Sequence, residues 1–581
     1  MRRAQGLGAP LAVGVAVAGF TAAWRHYGIF DFADEGVLLA QAARVVRGEV
    51  PHVDFATGYG PLYFAVQAAL LRAGGVEAIR LALAAAHGVA AALACALARR
   101  LAGGAAAAVA VALQVAFFLP VSARWGAPFN VPYPAWYAGV AGVVVAWLAA
   151  APTPTRLLCA GLVAGTAAAM KLNSGVLLAM GAAVAAVVGD GGGGRPGAVG
   201  GAVLVLIGVA ATLLVASTAM PLNGVVLAAP VWVLVAVAWR RSEPDARVVP
   251  RMLALVVGAV VVAGSAYAPA LATLGPGRFA REVLLLGSGA AGAYELPFPW
   301  AAVPLVALGL TIVVRGPGSR RWATALGVGA VVVLALAWGT GAAAAGRRLT
   351  EQALLALAPL VGVAAVLRGR SVAGLLPPAA VVVAGVLQLF PRPVFAHLLP
   401  LGPLVVPLLT ALPRPACARW ALSALALGAA VRFAPTVPLL AHLATGRVAG
   451  VSVGAVPFTV DEAGAPRLRA LAETVADVTA RTPPDAAVLS FPACAAVAFF
   501  AGRRPLGQHD YFFPGRPDHA DVEELLRALS PAPPAVAVTC TGEESQLAGA
   551  WAYFPEMAAF LDQRYRVVAV HSPFDVREAR P

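Results

Sequence analysis

The chain has 581 residues, of which 60% are hydrophobic and only 12% are charged, and its mean hydropathy is +0.81. These values exclude an ordinary soluble globular protein and indicate a polytopic membrane protein. The formal net charge of +14 does not indicate nucleic-acid binding, because arginine falls mainly in short hydrophilic breaks that alternate with arginine-poor ones. The excess positive charge therefore reflects arginine-rich loops on one side of the membrane.

Apolar runs of about 20 residues, the length needed to cross a bilayer, recur along the chain. The first run resembles a signal peptide, but no small-residue cleavage site follows it, so we predict a retained first span. The pattern predicts a polytopic α-helical membrane protein with about 13 to 15 transmembrane helices. The candidate spans are 8–26, 77–98, 103–121, 134–151, 157–172, 174–189, 198–218, 223–239, 252–272, 299–314, 323–341, 351–367, 372–390, 398–412 and 420–437.

The spans predict the side of the membrane on which each loop lies. With a cytoplasmic N-terminus and an odd number of spans, everything after about residue 440 lies outside. The segment PLYFAVQAALLRA at 61–73 is too short to span and begins with proline, so we expect it to lie flat on the outer leaflet. The loops expected to face outward are 27–76, 122–133, 273–298 and 391–397.

Residues 445–581 differ from the rest of the chain because Asp and Glu become common and apolar runs shrink to the length of strands. AAVLSF, AVAVT and YRVVAV predict buried strands, whereas PRLRALAETVADVTA, ADVEELLRAL and MAAFLDQRY predict helices. Their alternation predicts a small α/β domain with parallel strand pairing. The chain therefore divides into a transmembrane domain at 1–444, with its first external loop at 27–76, and a soluble extracytoplasmic domain at 445–581.

Three carboxylates follow the first span, where DFADEG contains Asp31, Asp34 and Glu35. Carboxylates at the edge of a membrane are costly unless they are solvated or paired, so their placement is informative. The simplest interpretation is an interfacial loop whose acids point to water. The loop, however, continues with a helical pattern at 37–47, a further acid at Asp54, and the sequence GYGPLYF that leads into the flat helix.

This order of features resembles the first external loop of the GT-C glycosyltransferases, which include the protein O-mannosyltransferases and the aminoarabinose transferases of lipid A. The resemblance rests on motif at 31–64 and on pattern over most of the chain. It implies transfer of a sugar from a polyprenyl-phosphate donor outside the cytoplasm. By this resemblance Asp34 is the general base that deprotonates the acceptor hydroxyl, and Glu35 is a neighbour that positions acceptor or donor. Acceptor-binding or structural roles are assigned to Asp31, Asp54 and Tyr59.

The chemistry implied by the resemblance needs few groups. A base must lie within hydrogen-bond reach of the hydroxyl that it deprotonates, and a departing phosphate needs no catalytic acid. Nothing in the sequence demands a metal. A pair of acids can hold one divalent ion together with donor oxygens, but no third acid clusters with Asp34 and Glu35.

A phosphate-bearing donor also requires cations on the same face of the membrane. Lys171, the only lysine in the chain, lies at the outward end of a predicted span, and an ammonium group is a habitual phosphate partner. The alternative is that Lys171 only snorkels to the interface. Related transferases often have a Gly-rich span that ends in lysine at this place. Further candidate phosphate ligands that the span count places outside are Arg347, Arg348, Arg392 and His397. If the count shifts by one, Arg347 and Arg348 are cytoplasmic anchors instead.

The sequence therefore predicts a polyprenyl-phosphate-dependent glycosyltransferase of the bacterial inner membrane. Its expected partners are the bilayer, the lipid-linked sugar and a glycan, lipid or protein acceptor. One alternative is a carrier or flippase for lipid-linked saccharides, which predicts charged groups near the midplane and inverted repeats. Another is a glycan polymerase or ligase that uses an undecaprenyl diphosphate donor.

The five cysteines show no metal-binding spacing. Cys95, Cys159 and Cys417 lie in or beside predicted spans and are expected to be apolar filler. Cys494 and Cys540 lie in the extracytoplasmic domain, and a disulfide between them is possible if that domain is exported.

Overall fold

The computed structural model describes most of the chain. Asp31 and most of the predicted spans at 299–314, 323–341 and 420–437 lie outside the described residues, so the total number of spans stays a prediction. The described residues are 8–28, 32–118, 121–122, 127–128, 130–189, 195–216, 220–284, 295–299, 302–304, 306–307, 343–368, 374–412, 441, 445, 448–462, 464–541 and 545–581.

The described part of the transmembrane domain is built from helices that follow the predicted spans. In chain order they are α1 (Gly8–Ala22), α2 (Asp34–Val46), α3 (Pro61–Ala102), α4 (Gly104–Leu113), α5 (Pro134–Ala149), α6 (Pro154–Met170), α7 (Leu172–Val188), α8 (Ala198–Ala216), α9 (Pro221–Trp239), α10 (Asp245–Phe279), α11 (Ala343–Arg368), α12 (Leu376–Gly385), α13 (Phe395–Leu398) and α14 (Gly402–Ala411). A two-residue ladder, β1 (Val121–Ser122) with β2 (Ala127–Pro128), precedes α5.

Length and composition support a multi-pass membrane protein. Among the described residues, five helical stretches are long and apolar enough to cross a bilayer. Shorter apolar helices, including α5, α6 and α7, pack between them. The five long stretches are Pro61–Ala102, Ala198–Ala216, Pro221–Trp239, Asp245–Leu284 and Glu351–Arg368.

The longest helix, α3, contains two predicted elements separated by a break. Gly74 and Gly75 have non-helical backbone angles, and Gly75 has a positive φ of 65°. Glycine accepts that conformation without steric cost, so the chain changes direction here. The residues before the break are the predicted flat helix, and those after it are the predicted second span.

Residues 445–581, called the extracytoplasmic domain after the side of the membrane that the sequence predicts for them, contain a five-stranded sheet, in the order β6-β5-β7-β9-β8, and a separate hairpin of β3 and β4. The strands are β3 (Ala449–Val453), β4 (Val456–Val460), β5 (Ala487–Phe491), β6 (Arg504–Pro505), β7 (Val536–Cys540), β8 (Tyr565–His571) and β9 (Phe574–Ala579). The helices are α15 (Ala465–Arg481), α16 (Ala495–Phe500), α17 (His519–Leu529), α18 (Ser545–Tyr553) and α19 (Pro555–Arg564). The three predicted strands and three predicted helices are all present, so the fold class predicted from the sequence is confirmed.

The expectation of parallel pairing is right for one half of the sheet and wrong for the other. β5 pairs parallel with β6 and β7, but β9 pairs antiparallel with β7 and β8. Only two residues separate β8 from β9, and so short a connection permits only an antiparallel pair. The sequence pattern missed β9 because charged residues interrupt its apolar ones.

The extracytoplasmic domain docks onto the first external loop through backbone hydrogen bonds. Gly28 N donates to Thr459 O at 2.8 Å, and Thr459 N donates to His26 O at 2.8 Å. Farther along the loop, Ala56 N donates to Gln508 O at 2.8 Å. These bonds tie the chain on both sides of α2 to the same domain.

A buried ion pair near the C-terminal end of α2 also joins the first external loop to the extracytoplasmic domain. Arg44 Nη1 lies 3.1 Å from Asp510 Oδ1, and the two side chains are 5% and 0% exposed. The Arg44 guanidinium also contacts Glu49 at 2.6 Å and donates to Asp54 O at 2.9 Å. Gln41 donates to the other Asp510 oxygen at 3.2 Å. Both oxygens of the buried carboxylate are therefore satisfied by α2.

We expect the replacement Asp510→Ala to weaken this docking. It removes one of the two carboxylates that pair with the buried Arg44 guanidinium, and since Glu49 stays at 2.6 Å the cost should lie below the about 3–5 kcal/mol of a buried pair broken outright. Limited proteolysis of the detergent-solubilised protein should then release the extracytoplasmic domain faster than in wild type. The matched control is Arg566→Met, which breaks the exposed Arg566–Glu578 pair and should leave the cleavage rate unchanged. Equal cleavage rates for Asp510→Ala and wild type would contradict the proposed anchor.

Candidate functional site

The candidate site is arranged around the start of α2. Asp34 and Glu35 occupy the first turn of this helix, where negative charge is favourable to the helix dipole. The helix ends before Gly48, whose positive φ of 94° stops it. Consecutive residues at a helix start point in different directions, so the two carboxylates have different surroundings.

Asp34 is half-buried and faces the second external loop. Its Oδ2 accepts a hydrogen bond from the hydroxyl of Tyr133. The backbone next to Tyr133 is held by a second hydrogen bond, which the Tyr63 hydroxyl donates to Pro132 O at 2.7 Å. Asn130 is anchored in turn by a bond of 2.9 Å to Trp24 O. The carboxylate predicted to act as base is therefore held by a phenol on a well-supported loop.

Glu35, by contrast, is 1% exposed and forms an ion pair with Arg80 of α3. Arg80 Nη2 and Nε lie 2.7 Å and 3.2 Å from the same Glu35 oxygen. The remaining guanidinium donors bind the carbonyls of Arg25, Tyr27 and Gly28 at 2.6–2.9 Å. All five N–H groups of Arg80 therefore have acceptors. This placement favours a role for Glu35 in holding α2 rather than in contacting a substrate.

The GYGPLYF sequence brings the first external loop against the junction of α6 and α7. Gly60 N donates to Met170 O at 2.8 Å. A Cβ at Gly60 would lie 2.1 Å from Ala169 O and 2.8 Å from the Tyr267 hydroxyl. Only glycine allows this close approach of two backbones. Close packing of the two backbones therefore explains why position 60 of the motif is glycine.

Lys171 lies next to this contact, at the point where α6 ends and α7 begins. Its backbone is extended, with φ −150° and ψ 101°, and its side chain is half-buried. His397 lies close enough to Lys171 and Arg392 for the charge of either to act on its ring. The ring Nδ1 is 2.8 Å from Arg392 O, which fixes the imidazole. The structure thus gathers three predicted phosphate ligands, from distant parts of the sequence, in one place.

A series of contacts leads from Asp34 to the residue before Lys171. It runs from Asp34 through Tyr133 to Tyr63, whose backbone N donates to Gly60 O at 3.1 Å. From Gly60 it reaches Met170, the residue before Lys171. Tyr59 lies on the same path, with its ring 5.8 Å from that of Tyr63. Tyr133, which bonds Asp34, and Met170, which precedes Lys171, therefore pack against the same aromatic cluster.

The remaining predicted residues are less informative. Asp54 is exposed, and its carboxylate accepts a bond of 2.7 Å from Val50 N, which favours a structural role in the turn. Arg347 and Arg348 lie near the start of α11, whereas the sequence predicted a loop there; their side chains are outside the described set. Asp31 is also outside it.

Sequence reasoning missed several residues of this region. Tyr133 and Arg80 lack a motif, and only the three-dimensional contacts reveal their partners. His52, at a positive φ of 66°, packs its ring 5.9 Å from that of Tyr267. Burial and the nearby Arg516 lower the pKa of His52 to about 4, so the ring is neutral at pH 7. Arg516 brings a cation of the extracytoplasmic domain beside the first external loop.

The residues that the structure describes contain no group of three or more His, Cys, Asp or Glu side chains placed to hold a metal ion. The Asp34 carboxylate has Tyr133 as a partner, and Glu35 has Arg80.

Comparison with known proteins gives matches only to solved structures. No family model and no curated protein matches the chain. ArnT from Cupriavidus metallidurans in the apo state matches with a TM-score of 0.41 and 15% identity, covering 100% of both chains. The structure of the same protein bound to undecaprenyl phosphate has a TM-score of 0.36 and 15% identity, covering 98% of both chains. The third structure is the archaeal oligosaccharyltransferase AglB from Archaeoglobus fulgidus in complex with an inhibitory peptide and a dolichol-phosphate. It matches with a TM-score of 0.36 and 11% identity, covering 99% of this chain and 74% of that one.

The chain is thus similar to a solved ArnT and to a solved archaeal oligosaccharyltransferase. Identities of 11–15% and TM-scores below 0.5 assign neither an activity nor a residue role to it.

We expect the replacement Glu35→Gln to lower stability, because it leaves the Arg80 guanidinium uncompensated in a buried site. Loss of one partner from a buried ion pair costs about 3–5 kcal/mol. The thermal midpoint of the purified protein should fall clearly below that of wild type. Glu77→Gln is the matched control, since Glu77 pairs with Arg25 at the surface. An unchanged midpoint for Glu35→Gln would show that the pair does not hold α2.

The replacement Gly60→Ala should also disturb the site. Its Cβ would overlap the Ala169 carbonyl, so the first external loop or the α6–α7 junction has to move. Overpacking of this kind costs about 1–3 kcal/mol. Gly104→Ala is the control, because nothing lies within 4 Å of a Cβ at Gly104. Differential scanning fluorimetry of both variants and wild type measures the effect. Equal thermal midpoints for Gly60→Ala and wild type would contradict the close approach of the two backbones.

Proposed function

We propose that this protein is a glycosyltransferase that moves a sugar from a polyprenyl-phosphate donor to an acceptor hydroxyl. The reaction takes place on the extracytoplasmic face of the bacterial inner membrane, with the N-terminus in the cytoplasm and residues 445–581 outside. The observation that supports the proposal is the run of contacts from Asp34 through Tyr133, Tyr63 and Gly60 to Met170, the residue before Lys171. A carboxylate beside clustered cations is the arrangement that deprotonation of a hydroxyl and binding of a phosphate require.

The roles follow from the surroundings of each side chain. Asp34 is half-buried and hydrogen-bonded to Tyr133, so its carboxylate is held in one orientation and stays accessible to a substrate. It accepts the proton of the acceptor hydroxyl as that oxygen attacks the anomeric carbon, and the polyprenyl phosphate leaves with the bonding electron pair. Glu35 acts indirectly, since its pair with Arg80 fixes the start of α2.

The phosphate-binding roles belong to the cations beyond Gly60. Lys171 supplies a point charge, and Arg392, through its carbonyl, orients His397. The charges of Lys171 and Arg392 stabilise the phosphate as negative charge accumulates on it in the transition state. Resemblance at 31–64 and the printed names of the matching structures support a lipid-phosphate donor, whereas sugar and acceptor stay open.

A carrier for lipid-linked saccharides is the second candidate. The buried His87 and Gln114 are polar groups within apolar helical segments, as a carrier would have. His87, however, packs its ring 4.9 Å from Trp136. Isolated buried polar groups of this kind are typical of helix packing, so the enzyme is favoured.

The replacement Asp34→Asn should abolish transfer while the protein stays folded. An amide keeps the contact with Tyr133 but cannot accept the proton, and loss of a general base costs about 10²–10⁴-fold in rate. The test is transfer of radiolabelled sugar from polyprenyl-phosphate hexoses or pentoses to cell-envelope acceptors by purified protein. Asp562→Asn, at a 74% exposed side chain of the extracytoplasmic domain, is the control. Full activity of Asp34→Asn would remove Asp34 from the role of base.

The replacement Lys171→Gln should weaken binding of the donor more than it slows chemistry. It removes a charge from the phosphate site, so the apparent KM for the donor should rise about tenfold or more, in line with a charge-assisted bond of about 1.5–3 kcal/mol. Steady-state kinetics at varied donor concentration measure this. An unchanged donor KM would mean that Lys171 only snorkels to the membrane interface.

A further inference from the structure

Two cysteines of the extracytoplasmic domain lie side by side at the ends of parallel strands. β7 ends at Cys540, and its residue Thr539 is paired with Phe491, the last residue of β5. Cys494 follows Phe491 by three residues, and the two thiols are in hydrogen-bond contact. They are 0% and 3% exposed and belong to the same hydrophobic cluster. Strands that are distant in sequence thus bring two sulfur atoms together in a dry core.

We propose that Cys494 and Cys540 form a disulfide bond in the exported protein. The structure records both as thiols. The bond forms by exchange with a disulfide-bearing oxidant of the extracytoplasmic compartment: the two thiols lose their protons, one S–S bond forms between Cys494 and Cys540, and the oxidant's S–S bond is reduced to two thiols. This inference rests on the placement of the domain outside, which is part of the proposed function.

The position of the bond connects it to the candidate site. Cys494 is the residue immediately before α16, and Ala496 in that helix packs against Gly36 of α2. A Cβ at Gly36 would lie 2.5 Å from the Ala496 Cβ, so the two helices touch without a gap. Because β7 is the central strand of the sheet, the disulfide ties α16 to the middle of the domain. The helix on which α2 rests is thereby braced.

Burial determines when the bond can form and break. Thiol–disulfide exchange needs a thiolate to reach a sulfur in line, and neither sulfur is accessible in the folded domain. Oxidation therefore occurs while the domain folds after export. Once the domain is packed, the bond should resist reductant until the protein is denatured.

Differential alkylation tests the proposal. Membranes are quenched with acid, denatured, treated with N-ethylmaleimide, reduced, and then labelled with a mass-tagged maleimide. Wild type should acquire two tags, and Cys494→Ser and Cys540→Ser should each acquire none. Cys159→Ser, at an exposed cysteine of α6, is the matched control and should acquire two. Blocking of both thiols by N-ethylmaleimide in wild type would overturn the disulfide.

A second pair of measurements separates this inference from the proposed function. The double variant Cys494→Ala with Cys540→Ala should melt roughly 5–15 °C below wild type, since the bond closes a loop of more than 40 residues. Equal melting temperatures of the double variant and wild type would contradict a stabilising disulfide. A reporter fused after Pro581 locates the domain: a cytoplasmic domain overturns both the placement and the disulfide. An external domain with free thiols and measurable sugar transfer overturns the disulfide alone.

Discussion

The buried ion pair between Glu35 and Arg80 is the constraint on which the candidate site depends. Removing two charges from water is costly, and the cost is offset only when every donor and acceptor is satisfied. Arg80 meets that condition by binding Glu35 and three backbone carbonyls at the end of the first helix. One guanidinium therefore joins α1, α2 and α3, and it fixes the direction in which the neighbouring Asp34 points.

The first external loop serves as the common support of the transmembrane and extracytoplasmic domains. At one end of α2 the Arg44–Asp510 pair holds the extracytoplasmic domain, and along its face Gly36 packs against α16. At the end of the loop Gly60 contacts the α6–α7 junction beside Lys171. Both domains therefore contact the same short stretch. The acidic residues and the glycine of this stretch act through packing as much as through chemistry.

The sequence was informative where a local pattern determines structure, and uninformative where distant contacts do. Apolar periodicity predicted the helices of the described spans and the strands β5, β7 and β8, and the short run at 61–73 that begins with proline predicted a helix separate from the second span. The same reasoning gave Asp34 and Glu35 related roles, because adjacency in sequence carries no information about burial. Tyr133, Arg80 and the antiparallel β9 escaped it, since each is defined by a partner far along the chain.

In the proposed function the two adjacent carboxylates have separate tasks: Glu35 holds α2 through Arg80, and Asp34, held by Tyr133, acts as the base. The most direct test of this account is an experimental structure of the protein with a polyprenyl phosphate. The account predicts the phosphate against Lys171 and His397, on the side of the aromatic region that Asp34 faces, with Glu35 still paired to Arg80. A phosphate bound elsewhere, or a Glu35 carboxylate turned from Arg80 to the ligand, would contradict it.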